Sequence, residues 1–133
     1  MNITAPSTIL GVNGHEYTIQ NVEELEKHFE RLQGAQFTEL WLQRDTGQSL
    51  GVLINGNRAL LLYGRSEGDP GFSSRASPEG SESEERMEFI LSNGQRDEYP
   101  ASWTVSIDSA FRAIVYLFTH GQPAPWITWH DDS

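Results

Sequence analysis

A chain of 133 residues has room for one hydrophobic core and too little for a second, which excludes a multidomain enzyme. Its 19 Asp and Glu against 9 Lys and Arg give a formal charge of -10, which excludes a free-standing nucleic-acid binder: such proteins hold phosphates with cations, and Lys27 is the single lysine here. With no Cys, disulfides, thiolate zinc sites and cysteine nucleophiles are excluded as well.

Four Trp, six Phe and four Tyr supply the large apolar side chains that disordered acidic chains lack, so the protein is expected to fold. No apolar run approaches the roughly 20 residues of a membrane helix, and Met1 to Pro6 has neither the basic start nor the apolar centre of a secretion signal. A cytoplasmic, membrane-free protein is the expectation.

After a short polar lead, His15 to Gln20 alternates and reads as a first strand. Asn21 is placed to cap a helix, with Glu24 three residues on, and Val22, Leu25, Phe29 and Leu32 follow at helical spacing until Gly34. The period then changes to two. Phe37 to Gln43, Ser49 to Ile54 and Arg58 to Tyr63 read as an antiparallel meander, turned at Asp45-Thr46-Gly47 and Asn55-Gly56-Asn57. The run Leu60-Leu61-Leu62 suggests a strand covered on both faces.

From Gly64 to Glu85 the chain is rich in Gly, Pro, Ser and acidic residues, with Phe72 as its one large apolar side chain, and reads as a long mobile loop. Arg86 to Leu91 and Asp97 to Tyr99 form a second hairpin about Asn93-Gly94. Ser106 caps a second helix, whose Ile107, Ala110, Phe111, Ile114, Leu117 and Phe118 make a wide apolar stripe ending at Gly121. Trp126 to Trp129 is a terminal strand. The expected fold is one α+β domain over 1–133. Two helices pack on a mostly antiparallel sheet of about six strands, in the order β-α-β-β-β-β-β-α-β, with the acidic 65–85 segment as an internal loop.

The chemistry of sites is thin. His15, His28, His120 and His130 show no metal-ligand spacing, and their plain reading is surface imidazoles. Gly11 to Gly14 and Gly68 to Gly71 are turns, since neither leads into the Lys-Ser/Thr of a phosphate loop. Glu84-Glu85 and Asp131-Asp132 lie in polar stretches where nothing raises a carboxyl pKa for acid catalysis. No catalytic residue, cofactor or metal is therefore expected. Trp41 and Trp129 read as core anchors, whereas Trp103 and Trp126, beside prolines in connecting segments, are candidates for partial exposure.

The second half of the chain carries a set of ordered motifs. These are Ala59 to Gly64, the Gly/Ser/acidic loop, Glu98-Tyr99-Pro100, Val105-Ser106-Ile107, Ala110-Phe111-Arg112-Ala113, Phe118-Thr119-His120-Gly121 and Pro125-Trp126-Ile127-Thr128-Trp129. In order and spacing they resemble the first numbered family of bacterial polymorphic-toxin immunity proteins, over roughly Trp41 to Trp129. The longer Ser/Glu loop and Thr119-His120-Gly121 depart from the common pattern. The resemblance implies an antitoxin that binds and blocks a cognate secreted toxin, typically a nucleic-acid cytidine deaminase. Such a deaminase presents a basic groove and a zinc-bound water to the extruded base. An acidic inhibitor fills that groove in place of phosphates and needs no catalytic residue. A nuclease toxin, or a generic acidic interaction domain, remains an alternative. Asp69, Phe72, Glu79, Glu82, Glu84 and Glu85 are the first candidates for the contact, and Arg58 and Tyr63 beside the Asn55-Gly56-Asn57 hairpin are the rival placement.

Overall fold

Alternation in Phe37–Gln43 (β3) puts Thr38, Leu40 and Leu42 on a buried face, and the strands Ser49–Asn55 (β4) and Arg58–Gly64 (β5) extend that face with Leu50, Val52, Ile54, Ala59, Leu61 and Tyr63. The computed structural model describes residues 8–76 and 85–133 and joins these three strands antiparallel, with Leu40 opposite Val52 and Val52 opposite Leu61. The β3–β4 and β4–β5 turns use the expected glycines at positive φ, Gly47 at 95° and Gly56 at 61°.

The sheet is larger than expected. Thr8–Val12 (β1) and His15–Ile19 (β2) form a hairpin about Asn13 and Gly14, both at positive φ, and β1 pairs with β3. The polar lead therefore contributes an inner strand, with Leu10 fully buried. The loop expected over 64–85 is also interrupted. Phe72–Arg75 (β6) pairs with β5 on one side and with the last strand, Thr128–Asp131 (β10), on the other. The terminal strand begins two residues later than expected, because a turn from Ala124 to Ile127 takes up Trp126. With the short Val105–Ser106 (β9) on β5, the main sheet among the described residues has 8 strands in the order β10-β6-β5-β4-β3-β1-β2, with β9 off the path.

Both helices cover one face of it. In Val22–Leu32 (α1) Asn21 Oδ1 accepts the Glu24 N–H at 3.0 Å, and Leu25 and Phe29 face inward. In Ile107–His120 (α2) Ser106 Oγ accepts the Ser109 N–H at 3.1 Å, and Gly121 closes the helix at φ 70°. Phe29 and Phe111 stack between the helices with ring centroids 4.3 Å apart. On the opposite face the hairpin of Arg86–Ile90 (β7) and Arg96–Pro100 (β8) packs Phe89, Met87 and Tyr99 onto Leu53, Leu60 and Leu62. Leu60 is thus covered on the hairpin side and Leu61 on the helix side, as the triple leucine implies. The class is α+β as expected, with two helices on a mostly antiparallel sheet. Among the described residues no helix is long and apolar enough to cross a membrane.

Candidate partner-binding surfaces

The expected contact residues take different places. Glu79, Glu82 and Glu84 lie outside the described residues, and Glu85 is exposed just ahead of β7. Asp69 sits in the turn before β6. Its carboxylate accepts from the Arg65 Nε at 3.0 Å, Nη2 at 3.1 Å and backbone N–H at 2.9 Å. Those bonds, with the Gly71 N–H, hold its carboxyl well below the ordinary range. Its charge is matched within the molecule.

Phe72 is half-buried in β6, where Arg65 lies 5.0 Å from its ring centroid, so it is a strand residue rather than the anchor of a free loop. Tyr63 is 7% exposed, and its hydroxyl oxygen accepts from Gln48 Nε2 at 3.1 Å. Arg58 donates to the Thr104 carbonyl at 2.6 Å and to its Oγ1 at 3.1 Å, tying β5 to the segment that leads into α2. Both are tied into the fold by these contacts.

Several clefts open to solvent among the described residues, one of them lined by Arg58, Arg75 and Thr104. Between the helices a largely aromatic groove of about 440 Å³ is lined by Phe29, Phe111, Val115, Tyr116 and Trp126. Trp126 is 39% exposed, meeting the sequence expectation, although Arg112 lies over its ring at 4.9 Å. Trp103 is half-buried, with Arg75 3.7 Å from its ring centroid and Tyr99 beside it. At the loop end of the sheet a polar cleft of about 530 Å³ is lined by Gln43, Arg44, Asp45, Ser49, Glu67 and Asp69.

A further cleft, about 270 Å³, lies on the sheet face opposite the helices, where the β7–β8 hairpin stops. Glu39, Trp41 and Gln43 of β3 line it with Ile9, Gly11 and Glu16 of the β1–β2 hairpin. Trp41 was expected in the core, but the strand pairing places it with Glu39 on the other face. Its indole lies over Gly51 so closely that a Cβ there would come within 2.5 Å of a ring carbon. Glu39 Oε2 accepts the Trp41 Nε1–H at 3.0 Å, and Oε1 accepts the Ser92 N–H at 3.0 Å and hydroxyl at 2.7 Å. Partial burial pushes the Glu39 carboxyl up, but these hydrogen bonds together outweigh it and keep it below the ordinary value. The alternation of FTELWLQ already placed Glu39, Trp41 and Gln43 on one face; that signal names the face without telling which layer covers it.

Among the described residues no cluster of three or more His, Asp or Glu is arranged to hold a metal ion. The family model for the Imm1 immunity proteins matches residues 13–131, and the chain belongs to that family. It is an immunity protein against a toxin. No curated protein matches the chain.

Proposed function

We propose that the toxin blocked by this chain is a nucleic-acid cytidine deaminase, and that the block is steric and electrostatic, with no chemistry on the immunity side. The observation that carries this reading is where the negative charge lies in an immunity protein: seven of its 19 acidic residues fall between Glu67 and Glu88. A toxin that works on nucleic acid carries a basic groove for phosphates, and a surface of opposite sign competes for that groove and speeds encounter. The acidic stretch from Asp69 to Glu85, which contains β6 and ends just ahead of β7, supplies part of the contact in this reading. A cytoplasmic location follows, since the block must be in place where the toxin would meet its substrate.

Coexpression with the cognate toxin domain, scored for survival and for cytosine-to-uracil conversion, tests the proposal. Rescue with loss of deamination supports it. Rescue from DNA cleavage without a deamination signal replaces the deaminase with a nuclease, and failure to rescue overturns the assignment of a nucleic-acid-acting partner.

A further inference from the structure

Aromatic rings on the outside of this protein are repeatedly capped by its own arginines: Arg65 on Phe72, Arg75 on Trp103 and Arg112 on Trp126. Trp41 has no such cap among the described residues, although its surroundings suit a cation best. Glu39 and Glu16 line the same cleft, and neither joins an ion pair among the described residues. The Glu39 carboxylate is held in place by three hydrogen bonds, so it loses little freedom on accepting a partner's donor. Gly11 lines the cleft without a side chain to fill it, and the indole rests directly on Gly51.

We infer that this cleft on the open half of the sheet is the docking point for an arginine of the toxin's basic surface, its guanidinium stacked on Trp41 and paired with Glu39 and Glu16. The inference rests on the proposed function for the basic partner and adds where that partner seats. Arginine fits better than lysine, because a planar guanidinium stacks on indole while its edge hydrogen-bonds carboxylates. The net charge of -10 supplies the long-range attraction. Gln43 also lines the neighbouring polar cleft that holds Arg44, Asp45, Glu67 and Asp69. The helix-side groove is the weaker site for a cation, because Arg112 already occupies Trp126.

The test is calorimetric binding of the purified cognate toxin domain to the intact chain and its variants. Trp41→Ala should weaken binding roughly tenfold or more, as a central aromatic hot spot does. Glu16→Lys and Gln43→Arg, both at exposed positions where folding is not at stake, should weaken it severalfold and slow association, whereas Arg112→Ala on the helix side should bind as the wild type does. Wild-type affinity in Trp41→Ala, Glu16→Lys and Gln43→Arg alike would overturn the docking point and leave the proposed function standing. No binding by the wild-type chain would remove both. Self-association of the chain that Trp41→Ala abolishes would assign the cleft to a second copy and overturn the inference.

Discussion

Gly51 and Trp41 are a matched pair: the indole lies where any side chain at 51 would stand, with 2.5 Å left between a Cβ and the nearest ring carbon. Gly51→Ala should therefore displace Trp41 and cost about 1–3 kcal/mol, read as a lower urea midpoint at unchanged m-value. Glu39 sets a pH dependence of known sign. Its folded carboxyl lies below the ordinary value, so over that interval the unfolded chain binds the proton first, and the stability it contributes above the unfolded pKa is lost as pH falls through the folded one. Denaturation series from about pH 6 down to about pH 3 should show a shallower fall for Glu39→Gln than for the wild type. An identical slope would mean that the hydrogen bonds to Ser92 and Trp41 do not favour the ionised form. The pairing of Glu39 and Trp41 on one strand face was legible in the alternation of FTELWLQ; the bond from Ser92, brought from 53 positions away by the hairpin, was not.

The elements that the sequence shows plainly are those stabilised by their own residues. Each helix carries its cap and its apolar stripe within its own segment, and the β3–β4–β5 meander carries its own turns. β6 is different. Its Ser73 and Ser74 are 2% and 0% exposed, and their hydroxyls are satisfied by distant groups: Ser74 donates to the Trp103 carbonyl at 2.7 Å and accepts the Leu61 N–H at 3.0 Å, while Ser73 donates to Asp132 at 3.1 Å. A strand whose buried side chains are polar has no hydrophobic alternation to read, and its partners become known only once the ends of the chain are in place. β1 was obscured by Gly11, which breaks the apolar pattern of Thr8–Val12. In the β7–β8 hairpin Phe89 is the most deeply buried side chain, with Met87, Leu91 and Tyr99 packed in the same cluster. Phe89, 1% exposed, is its wedge into Leu53 and Leu60, so Phe89→Ala should cost about 3–5 kcal/mol in equilibrium unfolding and loosen the hairpin before the helices. Simultaneous loss of helix and hairpin signals in that variant would show that the hairpin is not a separate unit of stability.

Across the whole molecule the two faces of the sheet have different tasks. Helices seal one; the hairpin seals only half of the other, leaving the acidic, tryptophan-bearing half beside the acidic loop end. Length, charge and ordered motifs carried the class of the protein, whereas the open face could not be read, because which half of a sheet stays uncovered depends on where a distant hairpin packs. If the acidic segment meets a basic groove, reversing Glu82, Glu84 and Glu85 to Lys should slow association with the toxin about tenfold or more at low salt and by less at high salt. Association at the wild-type rate at low salt would move the contact off that segment. The most direct test is to add the purified chain to the purified toxin domain and follow cytosine-to-uracil conversion in DNA. Blockade by occupancy predicts that activity falls in proportion to the chain added and is gone at equimolar amounts, with no change in the immunity protein itself. Undiminished conversion in the presence of excess chain would contradict it.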